Sequence, residues 1–308
     1  MASHEDLPGA LADRPFSVGA ARRLGVGEGR LRGRDLSRPF HGVRAPIRAD
    51  TLETRCAAYL PRLKPGNYFS HLTAAALWGL PLPASAPPGA LHVTSTRRAP
   101  SGRGVIGHTT RDPRPPVWRD GFPVADPVTL FLQLSAMLSL DDLVAVGDAL
   151  VLDPVVLDPR DIRPWTTLGQ ISSAADRFEG HGALDARTAA GLVRHGVESR
   201  PETHLRLLAV RSGFDEPEIN VNLFSAAGRF LGRGDLVYRR QKVLLEYDGD
   251  HHRADRRQYE SDIARIERFT DDRWEVVRVR SRGLYVTPQH TVERLARAFR
   301  VQRERGVW

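Results

Sequence analysis

The sequence predicts an α/β protein: a C-terminal core in the order αβββαβα, preceded by a small helical unit with a wing and a mixed α/β region. Three observations predict it. After Ser199 a capped helix, three strand-like runs, a long helix, a strand and a final helix follow one another. Around residues 15 to 45 a capped helix, a glycine, a short basic helix and an extended stretch come in that order. Between these parts, four helices and two short strands are joined in part by proline-rich connectors.

Ser17 is placed to cap Val18 to Leu24, Gly25 breaks that helix, and Glu28 to Arg32 forms a second one. Leu36 to Ala45 reads as extended with a turn. Helix, glycine turn, basic helix and strand is the order of a winged helix-turn-helix, whose second helix enters the major groove. Arg30 and Arg32 are then candidate nucleic-acid contacts; a packing module with a solvated arginine face is the alternative. Leu52 to Leu60 and His71 to Leu80 read as helices, and Leu91 to Thr96 and Gly104 to Thr109 as strands joined by a polar turn. Helices follow at Pro127 to Leu138 and Asp142 to Val151. Asp153 to Pro164 lacks a period and reads as a linker, with further helices in Ser172 to His195. The expected division is residues 1–50, 51–155, a helical linker 156–196, and 197–308.

With 308 residues there is length for two cores, and 41% hydrophobic with 27% charged residues places the chain among globular proteins. No apolar run approaches the roughly 18 residues that span a bilayer, so no membrane is expected. The N-terminus lacks the pattern of a secretory signal. Cys56 is the only cysteine, which excludes an internal disulfide and a cysteine-rich zinc site, and a reducing cytoplasm is expected. The net charge of +8 is nearly all arginine, since Lys64 and Lys242 are the only lysines. Such a surface favours polyanions, because neutralising phosphates releases condensed counterions. Arginine in place of lysine, with abundant Ala, Gly and Pro, also follows from a GC-rich genome.

The chemistry concentrates near the C-terminal strands. Period-two alternation puts Leu244, Glu246 and Asp248 on one face of the third strand, and Asp235 lies in the strand before it. Carboxylates crowded on a sheet repel one another unless a cation compensates. Mg²⁺, a hard ion with oxygen ligands, is the expected one, with Mn²⁺ as its substitute. Asp235, Glu246 and Asp248 are the candidate metal ligands. Salt bridges to Arg233, Arg239 and Arg240 are the alternative use of these acids.

Two resemblances follow from motifs. Residues 197 to 302 resemble the Vsr-like branch of the PD-(D/E)XK endonucleases, which have a restriction-endonuclease-like core. The residues that carry it are Ser199-Arg-Pro-Glu202, Gly232-Arg-Gly-Asp235, Leu245-Glu-Tyr-Asp-Gly-Asp-His-His252, Asp262-Ile-Ala-Arg265 and Arg273-Trp-Glu-Val-Val277. The resemblance implies a catalytic site of Glu202, Asp235, Glu246 and Asp248, with His251 or His252 near the phosphate. Glu198 rivals Glu202 but precedes Pro201, outside the helix. One position departs from the pattern: Asp248 stands where the motif has lysine, and Lys242 is four residues before the acid. His251, His252 or Arg265 would have to take over the lysine's task. Adjacent histidines point apart, so zinc at His251 and His252 is disfavoured.

Residues 14 to 150 resemble AbiEi-type antitoxin-like proteins, through Phe40-His-Gly-Val-Arg44 with Ala45-Pro46, Ser70-His-Leu-Thr-Ala-Ala-Ala-Leu-Trp-Gly-Leu80, and Gly121-Phe-Pro-Val124 with Thr129-Leu130. That resemblance implies DNA-binding autoregulation and a partner toxin. The expectation is thus a Mg²⁺-dependent DNA endonuclease with Asp235 and Glu246 as metal ligands. Asp248 would be a third ligand or water orienter, and Glu202 would act through an outer-shell water. Arg253, Arg257 and Arg265 would lie along the DNA backbone. A catalytically inactive DNA-binding regulator is the second expectation, which the missing lysine favours, and a toxin-type nuclease acting on RNA or invading DNA is the third.

Overall fold

The structure, a computed structural model, describes residues 6–46, 48–86, 89–111, 114–249 and 256–308, with backbone alone over 256–263. It divides into two compact units, Met1–Met137 and Leu138–Trp308.

In the first unit α1 (Gly9–Ala12), β1 (Phe16–Ser17), α2 (Val18–Arg23), α3 (Glu28–Leu31) and β2 (Val43–Arg44) form a small front. The Ser17 hydroxyl accepts from the Ala20 amide and starts α2, as its sequence position suggests. β1 pairs antiparallel with β2, and Leu11, Phe16, Ala21, Leu31 and Leu36 bury against one another. The second basic helix is a single turn.

The remainder of this unit comprises α4 (Leu52–Tyr59), β3 (Tyr68–Phe69), α5 (His71–Leu77), β4 (Leu91–Ser95), β5 (Val105–Thr109), β6 (Val117–Arg119), β7 (Phe122–Val124) and α6 (Pro127–Leu134). The strands form one sheet in the order β5-β4-β3-β7-β6. β4 and β5 run parallel, with Thr94 opposite His108, so the segment between them is a crossover rather than a tight turn. At Gly107 an added Cβ would sit 1.8 Å from the Pro100 carbonyl oxygen, a backbone atom that cannot rotate away. Gly107→Ala is therefore expected to destabilise this unit by about 2 kcal/mol or more, read as a lowered urea midpoint.

The second unit opens with α7 (Leu140–Val151), α8 (Leu168–Arg177) and α9 (Ala183–Leu192). Where the sequence reading sets a boundary near 155 and a helical linker over 156–196, the structure packs α7 on α9 and on α10 (Arg200–Arg211) within one compact unit. The physical tie is Arg206, fully buried on α10. It donates to Leu192 O at 2.8 Å, Glu216 Oε1 at 2.7 Å and Asp148 Oδ2 at 3.4 Å.

After α10 come β8 (Glu218–Phe224), β9 (Phe230–Tyr238), β10 (Val243–Tyr247), α11 (Arg256–Asp271), β11 (Glu275–Val279), α12 (Ser281–Tyr285) and α13 (Pro288–Glu304). The sheet order is β11-β10-β9-β8, with β10 and β11 parallel and the other pairs antiparallel. Alternation sorts the side chains. Leu236, Tyr238, Val243 and Leu245 pack with Leu205, Leu295 and Ala298 of α10 and α13, while Val237 and Leu244 pack with Phe269 of α11. The short α12 was not legible in the sequence. No helix is long and apolar enough to cross a membrane among the described residues.

Candidate active site

The acidic site begins with strand register. Leu236 lies opposite Leu245 and Val237 opposite Leu244, which carries Asp235 opposite Glu246. Directly opposed residues of an antiparallel pair share a face, so the two carboxylates meet on the α11 side of the sheet. On the other flank, Ile219 lies opposite Leu236 and Val221 opposite Gly234, which places Asn220 across from Asp235. Asn220 adopts φ 50°, a conformation that an asparagine tolerates better than most residues, and its Nδ2 donates to Glu202 Oε2 at 2.8 Å.

Glu202 is held in the first turn of α10. Ser199 caps the helix, and its hydroxyl donates to Glu202 Oε1 at 2.7 Å. The Glu198 amide donates to Oε2 at 3.1 Å. The motif Ser-Arg-Pro-Glu thus fixes one carboxylate through ordinary capping chemistry. The rival, Glu198, pairs with Arg233 at 2.5 Å.

These placements leave Asp235 in an unfavourable electrostatic position. Its carboxyl is pushed up to about 7, first by burial and then by the neighbouring Glu246 and Glu202 carboxylates. The Tyr247 amide, which donates to Oδ2 at 3.0 Å, and Arg265 pull it down without offsetting the rise. Among the described residues Asp235 forms no ion pair. Glu246, 4% exposed, is held by Arg265 in a two-point contact of 2.5 and 3.1 Å. Arg265 Nη1 also donates to Arg233 O at 3.0 Å, so this arginine faces the acids rather than tracking a DNA backbone.

Asp248 is placed differently from the expectation. Strand β10 ends at Tyr247, and Asp248 pairs with Arg278 at 3.1 Å and Arg280 at 3.0 Å. Two guanidiniums already compensate its charge. Lys242 is also engaged elsewhere, 3.0 Å from Asp272. His251, His252 and Arg253 lie outside the described residues, and Arg257 lies where the backbone alone is described.

In the N-terminal unit, Arg30 differs from its expected role as a nucleic-acid contact. Its side chain is 9% exposed and pairs with Asp35 through both guanidinium nitrogens. Arg32 is exposed. A basic cleft of about 1370 Å³ lies beside α2 and β2, lined by Arg22, Arg38, Arg48, Arg62 and Arg103 among others. The sequence reading singled out none of these arginines, because their convergence depends on residues 62 and 103 folding back onto the front.

One further group went unmarked. Among the described residues, His71, His92 and His108 are the only three metal-binding side chains whose ligand atoms all lie within 4.8 Å of one another. No such trio includes the acids. No family model, curated protein or solved structure matches the chain.

Proposed function

We propose that the C-terminal unit hydrolyses phosphodiester bonds in DNA with a divalent cation, Mg²⁺ or Mn²⁺, held by Asp235 and Glu246. The observation that carries this reading is the register that sets Asp235 opposite Glu246, with its carboxyl pushed up first by burial and then by the Glu246 and Glu202 carboxylates and without an ion pair among the described residues. Hard oxygen donors in a half-buried acidic cluster suit such an ion. Bound there, it would polarise a phosphoryl oxygen and acidify an attacking water. The chain's own groups do the rest. Glu202, fixed by Ser199 and Asn220, accepts a proton from water, and Arg265 supplies the positive charge beside Glu246 that the absent motif lysine would supply. The αβββαβα order supports a restriction-endonuclease-like core, and the paired strands beside α2 and α3 support a winged helix. The basic cleft of the N-terminal unit, rather than Arg30, is the surface we assign to DNA phosphates.

A second reading is a catalytically inactive DNA-binding regulator, antitoxin-like and acting with a partner toxin. The two-point Arg265–Glu246 contact favours it, because an internal cation already compensates one of the acids. Calorimetry with Mg²⁺ and Mn²⁺, beside cleavage of plasmid and nicked duplex, separates the two. Metal uptake with cleavage supports the enzyme; tight binding to the gene's own upstream DNA without metal uptake supports the regulator. Arg265→Gln sharpens the comparison. Breaking a largely buried pair from one side should cost the metal-free protein about 3 kcal/mol. If the acids hold a cation, Mg²⁺ should restore part of that loss in thermal melts while cleavage falls.

A further inference from the structure

We propose that His71, His92 and His108 form a binding site for a late first-row divalent cation, zinc foremost, in the N-terminal unit. The topology builds it from three elements. The parallel register of β4 and β5 sets Thr94 opposite His108, so His92 and His108 project from the same face of neighbouring strands. The Ser70 amide donates to His92 O at 3.0 Å, which brings the next residue, His71, over that face as α5 begins. The imidazole centroids of His71 and His108 are 3.7 Å apart, and those of His92 and His108 are 5.1 Å apart.

The donor set selects the metal. Three neutral ring nitrogens without a carboxylate favour zinc, copper, nickel or cobalt over Mg²⁺ or Ca²⁺. Three imidazoles leave the fourth tetrahedral position for water. The rings are stacked, with interplanar angles of 19° for His71 and His108 and 11° for His92 and His108, so ligation turns them until their nitrogen lone pairs converge. His92 Nδ1 and His108 Nε2 lie 2.9 Å apart, sharing one proton. Two nitrogens on one zinc, each about 2.05 Å from it, would lie about 3.3 Å apart, so the pair opens by a few tenths of an ångström as the proton leaves.

Outer contacts prepare the site. His71 Nδ1 is 3.0 Å from the Ser70 hydroxyl, which also accepts from Thr94 Oγ1 at 2.7 Å. In the tautomer whose Nδ1 donates to Ser70, the Nε2 lone pair of His71 is left for metal. The Thr73 hydroxyl accepts from the His92 amide at 2.8 Å and fixes the strand beneath. His71 also holds φ 48°, a left-handed conformation of the sort concentrated at functional sites. His92 is buried and the other two are half-buried, so a small ion can reach the group.

The test uses the full chain, stripped with EDTA and carrying Asp235→Asn/Glu246→Gln to disable the acidic site. Titration with ZnCl₂, and with CoCl₂ read by its visible absorption, should give uptake of one ion. X-ray absorption of the zinc-loaded protein should show three imidazole scatterers, a readout that leaves the three histidines unaltered. His92→Ala and His108→Asn should each weaken binding by at least about tenfold, while His251→Ala/His252→Ala should leave it unchanged. No zinc uptake, uptake undiminished by His92→Ala and His108→Asn, or uptake lost on replacing His251 and His252 would each overturn the proposal.

Discussion

Asp235→Asn is expected to lower Mg²⁺-dependent cleavage of plasmid DNA by at least about 10²-fold, since removing even a metal's outer-shell partners costs 10–100-fold. A second signature does not depend on turnover. The Asp235 carboxyl is raised from its ordinary 3.8 to about 7 by burial and by Glu246 and Glu202. Folding therefore favours its protonated form. That contribution is fully present below the unfolded value and is lost as pH rises through about 7. The amide that replaces the carboxyl has no proton to lose, so the variant's melting temperature should exceed wild type by more at pH 8 than at pH 5. Mg²⁺ should raise the wild-type melting temperature at pH 8 and leave the variant's nearly unchanged. Equal gains at both pH values, or wild-type cleavage by the variant, would sink the assignment of Asp235.

Asp148→Ala is expected to be the most destabilising single change in the C-terminal unit, by about 3–5 kcal/mol, because it strips a partner from a buried guanidinium. Arg206 is fully buried, and Asp148 is 1% exposed while also accepting from the Arg194 amide at 2.7 Å and Thr203 Oγ1 at 2.8 Å. Burial pushes the Asp148 carboxyl up to about 6, against the pull of Arg206 and the Arg194 and Thr203 donors. The aspartate can thus take a proton when its partner is lost, whereas the arginine cannot give one up. Arg206→Met should consequently cost less than Asp148→Ala. The double variant should cost at least about 1 kcal/mol less than the two losses added, as measured by urea unfolding. Strict additivity would show that the two side chains stabilise the unit independently.

The acidic site was partly legible because its parts are local. Ser199 and Pro201 mark a helix start, and strand parity puts Glu246 on the same face as Leu244. The alternation of Val243 to Tyr247 sorted core from site without any knowledge of partners. Asp248 shows where parity stops: it shares that face by count, yet β11 runs alongside in parallel and delivers Arg278 and Arg280 to it. Nothing within residues 242 to 248 announces those arginines. Asn220 was missed for the same reason, since its task is to reach from β8 to a carboxylate on α10.

By itself, the sequence determined the capped helices, the alternating strands and their αβββαβα order, with Asp235 and Glu246 in successive strands. All of these depend on neighbours in the chain or on period-two and helical repeats. Tertiary structure alone decided that α7 to α9 belong with the C-terminal unit, that arginines occupy Asp248 and Glu246, and that three histidines from α5, β4 and β5 meet. Those outcomes depend on which strands become neighbours and in which direction they run. Burial and charge pairing are settled by that choice, not by the residues on either side.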